Sequence, residues 1–264
     1  MTIAETPMRW VDLPADPDIL AALEHAGVRS DDANQDQKRR WSERFADGCA
    51  VAIANQFRRA KLSGKTIKPL SLESGTEPLT PLGAGMQKRL DVTVTSPMLG
   101  LEIGVSLKGL NYRDAGSNNF DKNLTGRLYE MSDECRLVHE HVPHAFMVGV
   151  FFLPIASCSD KTDAAPSSFA SAVRKLQGRT GRLDAALSAQ ASKCDASFVA
   201  LYALGDEGEG FTTGAARFFR TSDPPPRRGR PKVSSTLSLA EFIGHVVDLA
   251  TNESYVSWSE PELT

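Results

Sequence analysis

The segment Leu90–Gly109, LDVTVTSPMLGLEIGVSLKG, decides how the chain is read. β-Branched alternation in VTVT, the turn signal SPMLG and a second apolar run mark a strand–turn–strand unit. Its arms are expected near 88–95 and 101–108. With the turn centred near Pro97–Leu99, Asp91 stands opposite Val105 or Ser106. Side chains alternate across a strand, so Ser106 and Lys108 share a face and Asp91 can point at it. The pattern brings an acid and an amine to one surface of a hairpin.

The flanking sequence supplies the layers. Helical spacing of Trp41, Phe45, Cys49, Ala52, Ile53 and Phe57 predicts a long helix before the hairpin, with a shorter one over DPDILAALEHAG. Between them and the hairpin, KTIKPLSLES reads as an edge strand, where Pro69 is tolerated. After a polar loop, Leu124, Leu128, Met131, Cys135 and Val138 mark a helix over about 123–141. HAFMVGVFFLPI then reads as a buried strand. A helix over about 167–191, with a break at GRTG left open, strands in ASFVALYAL and AARFFR, and a last helix in SLAEFIGHVVDLAT complete the chain. The expected fold class is α/β, a mixed central sheet flanked by helices. Residues 1–35 are expected to form an arm, 36–220 the main domain, and 221–264 a basic loop and helix packed on it.

The 264 residues, 41% hydrophobic and 24% charged, suit a globular body rather than a disordered or coiled-coil chain. A net charge of −3 excludes a uniformly basic nucleic-acid coat but leaves room for a local basic groove. Four scattered cysteines without a CxxC pair read as free thiols. No basic leader followed by an apolar core opens the chain, and the run AFMVGVFFLPIA is too short to span a bilayer. A soluble, cytoplasmic protein with no membrane partner is the expectation.

The ordering helix, three strands, helix, strand, with Asp91 on one hairpin arm and Lys108 on the next, resembles the PD-(D/E)XK nuclease superfamily over roughly residues 38–155. The resemblance implies a restriction-endonuclease-like αβββαβ core and Mg²⁺-dependent hydrolysis of DNA, with Mn²⁺ as a substitute ion. It implies Asp91 as the metal-holding aspartate and Lys108 as the lysine of EIGVSLKG. The position two before the lysine is Ser106 where that pattern has an acid. Ser106 is then expected to hold a metal-bound water, and a second carboxylate must come from elsewhere. Glu43, on the preceding helix, and Glu102 are the two candidates. Glu102 shares the parity of Ser106 and Lys108 but lies about 13 Å upstream at strand rise, so Glu43 is slightly preferred. A restriction or defence role fits the family. A non-catalytic DNA-binding module with a degenerate site is the alternative.

The segment PPPRRGRPKV places Arg227, Arg228, Gly229, Arg230 and Lys232 in one loop that resembles an AT-hook. Such an element lays an extended Arg-Gly-Arg core in a narrow minor groove, whose negative potential attracts the guanidinium groups. Double-stranded DNA is the expected partner, and cutting both strands calls for a homodimer. Three histidines in HEHVPH, His139, His141 and His144, lack zinc-ligand spacing and read as helix C-terminal cations. Arg127, Glu130 and Glu134 lie on the polar face of the same helix, to pair with one another or to border the site. GDEGEG at 205–210 reads as a turn, and GKT at 64–66 lacks the lead-in of a phosphate loop.

Overall fold

A computed structural model describes residues 8–73, 79–83, 86–182, 190–205 and 210–253. The acidic turn expected within 205–210 and part of the helix expected over 167–191 lie outside these residues. Helix α1 (Pro17–Ala26) begins where the Asp16 carboxylate accepts the N–H groups of Asp18 and Ile19, and it ends at Gly27, whose φ of 81° suits a residue without Cβ. Helix α2 (Gln35–Arg59) starts with a reciprocal Asn34–Gln37 capping box. Gly48 of α2 lies against α1, where a Cβ would come within 2.6 Å of Ala22 Cα. The N-terminal segment is thus not a loose arm. Ile19, Ala22 and Leu23 join the same core as α2, and Trp10 donates its indole N–H to the Pro231 carbonyl at 2.7 Å.

The strands follow as β1 (Thr66–Lys68), β2 (Leu79–Gly83), β3 (Met86–Arg89), β4 (Val92–Ser96) and β5 (Gly100–Gly109). Helix α3 (Leu124–His141) leads to β6 (Phe146–Pro154), and α4 (Ser168–Gln177) precedes β7 (Ala196–Tyr202) and β8 (Ala216–Arg220). Helix α5 (Leu239–Glu253) ends the described chain, with Ser238 and Glu241 forming its capping box. The six-stranded sheet has the order β1-β4-β5-β6-β7-β8. Its three inner pairings are antiparallel (β4–β5), parallel (β5–β6) and parallel (β6–β7), so the sheet is mixed. Strands β2 and β3 form a separate ribbon inserted ahead of β4.

The sheet divides two hydrophobic layers. On one side α2 and α5 cover Val92, Val94, Ile103, Val105, Leu107 and Phe152. On the other, α3 and α4 cover Leu90, Met147, Phe151, Leu153 and Val199. Neighbouring Phe151 and Phe152 fall in opposite layers, as strand alternation requires, and every residue of β6 is buried. Burial of each such ring is worth about 1.5–3 kcal/mol relative to exposure. Helix α4 ends at Gln177, where GRTG begins. Two elements differ from the sequence reading: β4 begins at Val92, with 86–89 paired to β2, and a β-bulge interrupts the β4–β5 ladder. Among the described residues, no helix is long and apolar enough to cross a membrane.

Candidate active site

In the β4–β5 ladder Val92 faces Val105, Thr93 faces Gly104 and Val94 faces Ile103. One step further the same register sets Asp91 beside Ser106. Val105 and Leu107 belong to the layer under α2, so the alternate residues Ser106 and Lys108 point to the α3 side. The Asp91 carboxylate accepts the Leu107 N–H at 2.6 Å, which ties the start of β4 to the end of β5. Register and this bond set Asp91 next to the Ser106–Lys108 end of β5, with Ser106 buried and Asp91 and Lys108 half-buried.

The carboxylate they meet is Glu134 of α3. Ser106 Oγ donates to Glu134 Oε2 at 2.5 Å, and Lys108 Nζ lies 3.2 and 3.1 Å from the two Glu134 oxygens. Lys88 of β3 adds a second ammonium, 3.6 Å from Glu134 Oε1. Glu134 thus supplies a carboxylate next to the small hydroxyl of Ser106, where the strand carries no acid of its own. Two ammonium groups therefore face the one Glu134 carboxylate. The sequence holds a signal for Glu134: it lies three residues after Met131 and four before Val138, at the edge of the apolar stripe. Its companions on the helix stay outside, Arg127 pairing with Glu130 at 2.8 Å on the surface.

The two acids expected from the sequence are not brought into this group. Glu43 stands exposed on α2, which covers the opposite face of the sheet, and its nearest cation is Arg39 at 4.0 Å. Glu102 is buried, with both oxygens 2.7 Å from Lys65 Nζ. The parity argument for Glu102 fails at the bulge: Thr95 pairs with Leu101 while Val94 pairs with Ile103, leaving Glu102 without a partner on β4. Residues before and after the bulge do not share one alternation.

The Arg-Gly-Arg segment is folded back on the body and not extended. Gly229 has φ of 79°, in the left-handed region, and its N–H donates to the Cys158 carbonyl at 2.8 Å. The Arg227 carbonyl accepts from Ser167 N–H at 3.0 Å, and its guanidinium reaches the Ala164 carbonyl. Arg228 pairs with Asp163, and Arg230 lies over the Phe211 ring at 4.8 Å. Arg227, Arg230 and Lys232 remain exposed. Cys158 follows the C-terminal end of β6, and Lys108 lies near the C-terminal end of the parallel neighbour β5. The basic loop and the Asp91–Lys108 cluster therefore occupy the same end of the sheet, the end where α/β folds place ligands.

The histidines separate. His139 is buried between the Ala191 carbonyl and Asp195, His141 contacts the Leu137 carbonyl, and His144 contacts the Leu99 carbonyl. Among the described residues no three His, Cys, Asp or Glu side chains gather to hold a metal. Magnesium does not require three: it keeps several waters and is bound through one or two carboxylates plus substrate phosphate oxygens. Glu134, with the Ser106 hydroxyl on it, and Asp91, on the Leu107 N–H of the same strand, are oxygen donors of that kind. A zinc centre would not fit them, for no nitrogen or sulfur ligand is present in the cluster. Compared with protein-family models, with curated proteins and with solved structures, the chain matches none.

Proposed function

We propose that the chain is a Mg²⁺-dependent endonuclease acting on double-stranded DNA, built on a restriction-endonuclease-like core. The order α2, β1, β4, β5, α3, β6, with β6 parallel to β5, supports that core. One observation carries the reading: Ser106, Lys108 and Glu134 meet between β5 and α3, with the Asp91 carboxylate close by on the Leu107 N–H. Asp91 and Glu134 would hold the ion. Mg²⁺ bound there supplies polarisation of the phosphodiester and a lowered pKa for a bound water. Lys108 carries its charge to the place where negative charge grows on phosphorus, and it orients the attacking water. Ser106 keeps Glu134 facing the strand by donating to it, and its oxygen accepts from a water at the same spot. Arg227, Arg230 and Lys232, exposed at the same end of the sheet, contact phosphates of the duplex. Cleavage of both strands uses two such centres, hence a homodimer.

The test is plasmid cleavage with Mg²⁺ or Mn²⁺. Wild type should nick and linearise supercoiled DNA, and Asp91→Ala, Glu134→Gln and Lys108→Ala should each abolish cutting. Persistent cutting by Asp91→Ala overturns the assignment. Loss of cutting in Glu43→Gln or Glu102→Gln, with Glu134→Gln active, moves the second carboxylate elsewhere.

A second reading has its own observation. Both Glu134 oxygens already receive lysine or serine donors, the arrangement of a self-satisfied structural cluster. On that reading the chain is a non-catalytic DNA-binding module. Retention of duplex DNA by wild type without metal-dependent cutting selects it.

A further inference from the structure

Lys88 is the member of the cluster that the hydrolytic reading leaves without a task. It comes from β3, in the two-stranded ribbon outside the main sheet. Alternation along Gln87, Lys88, Arg89 and Leu90 turns Lys88 to the side on which Leu90 is buried, towards α3. Its ammonium stands 3.6 Å from Glu134 Oε1, the longest contact that carboxylate makes, whereas Lys108 lies within 3.2 Å. Its side chain is 27% exposed against 10% for Lys108.

Loading the site changes the balance of charge. Two ammonium groups, Lys88 and Lys108, face the Glu134 carboxylate in the cluster as it stands. A divalent cation on that carboxylate adds to the positive charge already within a few ångströms of it. Like charges at such separation repel strongly in a half-buried setting, so the more weakly held ammonium is the one expelled. A DNA phosphate delivered to the site is the anion nearest to hand. We propose that Lys88 is an exchangeable counter-ion. It neutralises Glu134 when the site lacks metal and transfers to a phosphate of the bound strand when metal and DNA arrive. This role rests on the nuclease reading. It makes Lys88 a substrate-positioning residue, distinct from Lys108, which stays with the reacting atoms.

The experiment compares wild type with Lys88→Gln and Lys88→Arg, both folded by circular dichroism and melting. Cleavage kinetics are measured on a duplex over a range of KCl, and Mn²⁺ binding to the free protein is measured by electron paramagnetic resonance. For Lys88→Gln, KM rises about tenfold and kcat falls less than about threefold. The slope of log KM against log salt drops by about 0.9, as for one lost phosphate contact. Half-saturation by Mn²⁺ shifts to several-fold lower concentration, because the competing ammonium is gone. Lys88→Arg restores KM. An unchanged KM and salt slope in Lys88→Gln, with wild type cutting normally, overturns the inference and leaves the nuclease reading standing. A fall of about 100-fold or more in kcat at unchanged KM also overturns it, since Lys88 would then serve the reacting atoms. Wild type that binds no Mn²⁺ and cuts nothing removes the parent reading and this inference with it.

Discussion

Helix α3 carries two ion clusters five residues apart, and they are built in opposite ways. At Glu134 the donors are all side chains, two lysines and a buried serine, with the carboxylate 17% exposed. At His139 the carboxylate is Asp195, and its partners are fixed. Asp195 accepts the Met147 N–H at 2.7 Å and the Arg182 Nε–H at 2.9 Å, and contacts His139 at 3.2 Å. Arg182 is pinned by donating to the Pro143 and Ala145 carbonyls, and His139 contacts the Ala191 carbonyl. One cluster is tied to backbone groups; the other is held by side chains alone. Locked clusters fix the placement of strands, whereas exchangeable ones can take up a ligand. Cys135 and Cys194 stand between the two, one residue after Glu134 and one before Asp195, with sulfurs 2.9 Å apart in the core.

The largest effect expected from this contrast is on stability. Asp195→Ala leaves the Arg182 guanidinium buried and unpaired, and should cost about 3–5 kcal/mol in urea unfolding, as when one partner of a buried pair is removed. A cost below about 1 kcal/mol would deny that this cluster is the locked one. Next in size, Glu134→Gln should lower metal-dependent cleavage by about 10²–10³-fold, the range for loss of a preorganised charge contact. Its effect on unfolding should be less than half that of Asp195→Ala. If the two variants destabilise equally, both clusters are structural.

A smaller effect concerns the loop after β5. Donation by Lys122 first, then by the Ser117 N–H and hydroxyl, holds the Asp114 carboxyl at about 2, below its ordinary 3.8. A depressed folded value favours the native state above about pH 3.8, and that contribution is lost as pH falls through about 2. Lys122→Met should move the Asp114 carbon resonance midpoint back towards 3.8 in an NMR titration. No movement would show that Lys122 does not set it. The smallest effect is chemical. Hydrogen bonding to Cys194, followed by burial, pushes the Cys135 thiol up, and burial does the same to Cys49 and Cys158. Native protein should therefore resist alkylation at all four buried cysteines over hours. Asp195→Ala should speed labelling of Cys135 and Cys194 before that of Cys49.

Much of the fold is legible because each element carries a local signature. The Asp16 cap with Gly27, the Trp41–Phe57 stripe, the VTVT hairpin and the unbroken apolar run of β6 each act over a few residues. The inserted β2–β3 ribbon is not legible, since LTPLG and MQKR lack strand alternation and contain Pro81. The site is half legible. Asp91, Ser106 and Lys108 follow from hairpin register alone. Parity misplaces Glu102 because one bulge resets the alternation, and Glu43 fails because its helix covers the other face of the sheet. The Arg-Gly-Arg loop reads as extended, but tertiary hydrogen bonds from Ser167 and Gly229 curl it onto the body.

By itself the sequence determined the α/β layering and the hairpin register that sets Asp91 opposite Ser106, because periodicity and pairing register are local geometry. Only the tertiary structure decided that Glu134 and Lys88 complete that group. Their positions depend on which face α3 and the ribbon cover, and that choice is made by the packing of residues distant in the chain.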